Sequence, residues 1–144
     1  MSPTRIQISA HIAAPLARTW ALYTDPAHIV GWNFASDDWC CPKAQVDLRT
    51  GGRHLARMEA KDGSVGFDFA ATYDAVTPPN LLAMTLDDGR QVETRLDPTP
   101  DGTRLTTTFE AETENDAEMQ RAGWQAILNN FKTYAEARPR HSPA

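Results

Sequence analysis

The sequence predicts an α+β fold in which a curved antiparallel sheet of about seven strands wraps around one long C-terminal helix. Three observations carry this. Apolar–polar alternation, the mark of a half-buried strand, recurs from Ile6 to Ala111. Turn signals such as Lys61-Asp62-Gly63 and Asp87-Asp88-Gly89 separate the alternating runs. After Asn115 the apolar period changes from two to that of a helix.

Taken in order, Ile6, Ile8, Ala10 and Ile12 alternate with Arg5, Gln7, Ser9 and His11, which predicts the first strand. Pro15 then opens a helix, LARTWALYT, as its first residue; Leu16, Trp20 and Tyr23 share one face. Asp25 is the expected N-cap of a second short helix, PAHIVGW. Trp32–Pro42 reads as a turn-rich loop, with Trp32 and Trp39 as lid residues over a core. Strands are expected at Ala44–Leu48, Arg53–Ala60, Val65–Val76, Leu81–Leu86, Gln91–Leu96 and Thr103–Glu112. A bulge before Val76 is expected, because strict alternation would otherwise turn that side chain to water. Short loops make sequential strands antiparallel neighbours. Asn115 or Asp116 caps the last helix, which runs to about Ala137 with Gly123, Tyr134, Ile127, Phe131, Trp124, Ala135 and Leu128 on one stripe. Two short helices between the first two strands and one long helix across the sheet describe a helix-grip, with room for a cavity between helix and sheet.

The expected organisation is one domain, 1–137, and a flexible tail, 138–144, rich in proline. A net charge of −5 and basic clusters confined to the tail argue against nucleic-acid binding. No apolar run approaches the ~20 residues of a membrane helix, and the N-terminus lacks a signal-peptide core, so no membrane insertion and a cytoplasmic location are expected. Cys40 and Cys41 are adjacent and cannot reach unstrained disulfide geometry, so both read as packing residues. A homodimer through an exposed sheet edge is compatible with the chain.

Several segments also resemble a known family: TDPAHIVGW, DWCCP, DLRTGG, the DGS and DGR turns, TFEAE and AGWQAILNNF. They are similar to bacterial AHSA1-like proteins, related to the C-terminal domain of the Hsp90 ATPase activator, in the START/Bet v 1-like (SRPBCC) superfamily. The resemblance runs from about Ile6 to Tyr134. It implies the helix-grip fold and flavonoid-like or lipid ligands; the one-domain length weighs against a co-chaperone role.

The expected function is therefore binding of a small hydrophobic molecule, such as a lipid, aromatic or polyketide-like metabolite. The expected lining is Trp20, Trp32, Trp39, His54, Met58, Phe67, Phe69, Tyr73, Met84, Phe109, Gln120, Trp124 and Phe131. His54 shares parity with Ala56 and Met58 and so points inward, whereas Arg53, Leu55, Arg57 and Glu59 form the wet face. Phe67, Phe69, Ala71 and Tyr73 form an inner face opposite Asp68 and Asp74. Gln120 either bonds backbone or solvent near the open end of the sheet or offers a hydrogen bond to a ligand. Gly123 either lets another group pack closely or leaves room for a ligand. His11 and His28 are expected outside. No cofactor or metal is expected, since no dinucleotide, P-loop or metal-ligand spacing is present. The alternatives are an enzyme of cyclase or hydrolase type using His54, Gln120, Tyr73 or Asp38, and a stress-related protein-binding module like the Hsp90 activator.

Overall fold

The computed structural model describes residues 4–137. The proline-rich tail 138–144 lies outside the described residues. Its elements are β1 (Arg5–Ile12), α1 (Leu16–Thr24), α2 (Pro26–Ile29), β2 (Trp39–Val46), β3 (Arg53–Ala60), β4 (Gly66–Thr77), β5 (Leu81–Leu86), β6 (Gln91–Thr99), β7 (Gly102–Glu110) and α3 (Ala117–Glu136). All strands join one antiparallel sheet in the order β1-β7-β6-β5-β4-β3-β2. The chain thus lays β1 on one edge, crosses through α1 and α2, and builds the rest of the sheet back toward β1. This is the helix-grip architecture.

Local chemistry explains the turns. Gly63 and Gly89 close the β3–β4 and β5–β6 hairpins at φ +78° and +95°, a region glycine enters without steric cost. The aspartate before each accepts a backbone N–H two residues on, Asp62 from Ser64 and Asp88 from Arg90. Asp25 caps α2 by accepting from the Ala27 N–H at 2.9 Å. Pro15 is the N-cap residue of α1 rather than its first helical residue. The expected bulge in β4 falls between Tyr73 and Ala75.

β2 departs from the sequence reading. It starts at Trp39 rather than Ala44, and a register shift lies between Cys40 and Lys43. Pro42 cannot donate to a ladder, so it is tolerated only where pairing is already broken on this edge strand. Trp39 is consequently a sheet residue, and no lid is formed by it. Cys41 is buried, and its Sγ–H donates to the Lys43 carbonyl at 3.5 Å. Burial pushes its thiol pKa up, which suits a packing role.

The core lies between the concave sheet face and α1 and α3. Phe131, Leu22, Ile12, Leu96 and Leu105 are fully buried there. Each such side chain stabilises the fold by roughly 1.5–3 kcal/mol relative to exposure. On the opposite face, Arg53 makes a two-pronged pair with Asp87 at 2.7 and 2.9 Å, and Arg57 reaches Glu59 and Asp68. These exposed pairs contribute little to stability. The two flanking histidines are less exposed than expected. His11 lies 3.0 Å from Asp101, and His28 Nδ1 is 2.8 Å from the Tyr134 hydroxyl.

Gly123 packs against nothing. A Cβ built there meets no heavy atom within 4 Å, so the expected close approach is absent. Gly123→Ala should therefore raise stability by about 0.5–1 kcal/mol through helix propensity alone. A lower urea midpoint for this variant would show that the space is needed.

Candidate functional site

A small apolar space of about 100 Å³ lies between the concave sheet and α3. The inward residues of five strands form its floor: His54 and Met58 of β3, Phe69 and Tyr73 of β4, Leu82 and Met84 of β5, Val92 and Thr94 of β6, and Thr107 of β7. Trp124 and Ile127 of α3 form the roof. Tyr23, Thr24, Ile29, Trp32 and Asn33, from α1, α2 and the turn after them, close one end.

The walls are held by ring contacts. Trp124 stacks on Phe109 with centroids 3.9 Å apart and meets Phe69 edge-on at 6.1 Å. Trp32 stacks on Tyr23 at 5.1 Å, and Phe131 meets both rings edge-on. The Trp32 indole N–H donates to the Leu22 carbonyl at 3.1 Å, which fixes its orientation. Trp32 is thus a buried wall rather than a swinging lid.

Seven of the residues expected at the site border this space: Trp32, His54, Met58, Phe69, Tyr73, Met84 and Trp124. Trp20, Phe109 and Phe131 are buried in the core behind it. Phe67 continues the inward parity of Phe69 but is 48% exposed and packs against Trp39, 6.1 Å away at the sheet's far end. Neither ring borders the space, whereas Phe69 does and meets Trp124 of α3. Gln120 is buried but spoken for. Its Oε1 accepts from the Glu112 N–H, and its Nε2 donates to the Glu112 and Asn115 carbonyls at 3.1 and 2.8 Å. It clamps the β7–α3 connection, so of its two expected roles the backbone one is realised.

The sequence reading missed Tyr23, Asn33, Thr94 and Thr107 as lining residues. A signal existed for the threonines. Thr94 and Thr107 share inward parity with Val92 and Phe109, a position where a polar side chain needs a partner. They find each other at 3.2 Å, and the Tyr23 hydroxyl interacts with both.

Two titratable groups border the space with displaced pKa values. Burial pushes His54 down to about 4, so its imidazole is neutral at pH 7. Burial pushes Tyr73 up, with the neighbouring Tyr23 adding to it. His54 Nδ1 and the Tyr73 hydroxyl are 3.0 Å apart. A base this weak is poorly matched to proton abstraction at neutral pH. The lining contains no Asp, Glu, Lys, Arg or Cys, and no cluster of metal-ligand side chains occurs among the described residues. What the arrangement can do is surround an apolar group and meet it with neutral hydrogen-bonding groups.

Fold and site together define a helix-grip protein of the SRPBCC type. A family model described as Activator of Hsp90 ATPase homolog 1-like protein matches residues 13–136, so the chain belongs to that family. It is similar to an AHSA1-like protein from Aeromonas hydrophila, solved in solution, at 43% identity and TM-score 0.91, covering 98% of each chain. A protein from Cytophaga hutchinsonii is 39% identical over 99% of this chain and 97% of its own, at TM-score 0.77. One from Nitrosomonas europaea is 22% identical over 92% of this chain and 94% of its own, at TM-score 0.80, and shares the fold. A comparison with curated proteins finds no match. No helix among the described residues is long and apolar enough to cross a membrane.

Proposed function

We propose that this protein binds a small hydrophobic molecule in the space between its sheet and α3, and that it does so without transforming it. The carrying observation is an uncharged, largely apolar lining drawn from five strands and every helix, with aromatic walls and few polar groups. Size narrows the range of ligands such a lining accepts. Drug-sized ligands occupy roughly 300–1,000 Å³, whereas about 100 Å³ is open here. A single ring or a short chain enters with modest displacement of Trp124, which is only half-buried. A full lipid chain or a flavonoid requires the roof to move.

Trp32 and Trp124 both border the space, so their fluorescence reports occupancy. Titration with single-ring and short-chain apolar compounds should give a saturable change, with dissociation constants of roughly millimolar or better for so few atoms. A linear, unsaturable response across the panel would overturn the proposal.

A second reading draws on the family's description. Trp39, Phe67 and Val65 leave apolar surface outside the space, with Phe67 and Val65 48% and 56% exposed. Such a patch suits contact with another protein, and the Hsp90 ATPase is the one that the description names. An unchanged Hsp90 ATPase rate with the purified protein would remove this reading.

A further inference from the structure

His54 stands out among the polar groups of the lining. Apart from the Trp124 indole N–H, the others have protein partners that use them. Thr24 donates to the Trp20 carbonyl at 2.8 Å. Thr94, Thr107 and Tyr23 serve one another. Asn33 meets the Cys41 thiol, and Trp32 bonds Leu22. His54 is partly buried and borders the space, yet only its Nδ1 is engaged, by Tyr73. Among the described residues no group bonds Nε2.

Hydrogen-bond balance decides which nitrogen carries the proton. The Tyr73 hydroxyl has no acceptor among the described residues other than His54 Nδ1. If Nδ1 carried the proton, it would donate to the phenol oxygen. The phenol proton and the Nε2 lone pair would then both lack a protein partner beside a largely apolar lining, at a cost for each. If Tyr73 donates to Nδ1, the imidazole proton sits on Nε2, and that N–H is the single unmet group of the pair. The remaining lining donor without a protein partner, the half-buried Trp124 indole N–H, also asks for an acceptor. A charged ligand would enter without any opposite charge in the lining, which is costly.

We infer that His54, as an Nε2–H donor set by Tyr73, anchors the ligand, and that the site selects a small uncharged compound carrying one accepting oxygen, of the ketone or ether class. This rests on the binding reading above. The anchor fixes one end of the molecule while the Phe69, Leu82, Met84 and Trp124 surfaces cover its apolar body.

The test compares cyclohexanone with methylenecyclohexane, which replaces C=O by C=CH2 at nearly the same shape, and with cyclohexanecarboxylate. Amide chemical-shift titration follows all three. Cyclohexanone should bind about tenfold more tightly than methylenecyclohexane, the worth of one enclosed hydrogen bond, and the carboxylate should not saturate. In His54→Phe the ketone preference should fall to about threefold or less. Imidazole nitrogen spectra of the unliganded wild type should show the Nε2–H tautomer, and Tyr73→Phe should release that preference. Equal binding of ketone and alkene, or an Nδ1–H tautomer in the wild type, overturns the anchor and leaves the binding reading standing. Failure of all three compounds to saturate overturns both. The tautomer measurement stands even where His54→Phe does not fold.

Discussion

Phe131→Ala lowers the stability of this protein by about 3–5 kcal/mol. Phe131 is fully buried. Its ring meets Tyr23 edge-on at 5.1 Å and Trp32 at 4.9 Å, so it joins α3 to α1 and to the turn after α2. Truncation removes the transfer energy of the ring, leaves a void, and breaks two aromatic contacts that contribute about 0.5–1.5 kcal/mol each. Because domains of this size have only about 5–15 kcal/mol in hand, the variant should unfold at markedly lower urea, and its Trp32 emission should shift as the wall loosens. Phe131→Leu, which keeps most of the volume, should cost clearly less. A loss below about 1 kcal/mol for the alanine variant would contradict this account of the packing.

The second large effect is a loss of stability in mild acid. In the unfolded chain His54 takes up a proton near the ordinary histidine value of 6.5, and in the folded protein burial lowers this to about 4. Between those values the unfolded state binds more protons, so stability falls as pH falls through this window and is indifferent to His54 above it. The difference corresponds to about 3 kcal/mol at full burial and somewhat less here, since the ring keeps a little exposure. No charged side chain lines the space around the ring to offset this; Tyr73 and Phe69 are its neighbours. Asp62, Asp87 and Glu136 have lowered pKa values for a different reason, hydrogen bonds from Ser64, Arg53 and Lys132. Their contribution is present above their unfolded values and is lost at lower pH than the His54 window. Urea unfolding of wild type and His54→Gln between pH 7 and 5 separates the two. The wild type should weaken across this range, and the variant should stay nearly flat. Equal slopes would show that His54 titrates normally in the folded protein.

Much of this molecule is legible in its sequence, and particular residues show why. Arg53–Ala60 and Leu81–Leu86 are strands with the boundaries that their alternation and flanking turns indicate. A glycine-bearing turn and a two-residue period are local properties, readable from a few neighbours. The bulge near Val76 was legible for the same reason, as a conflict between parity and apolar character. Trp39–Pro42 was not, because a proline in an edge strand looks like a loop until its missing partner is known. Phe67 carries the same sequence signal as Phe69; the contact with Trp124 of α3 distinguishes the lining ring from the exposed one.

The sequence by itself determined the elements, their order, the inward face of each strand and the family. Only the tertiary structure decided which inward residues border open space, that Gln120 is consumed by backbone, and that His54 meets Tyr73 through the pairing of β3 with β4. The reason is physical. Periodicity follows from the backbone geometry of each segment, whereas a cavity and the partners within it arise where segments distant in sequence meet, at distances that no single segment encodes.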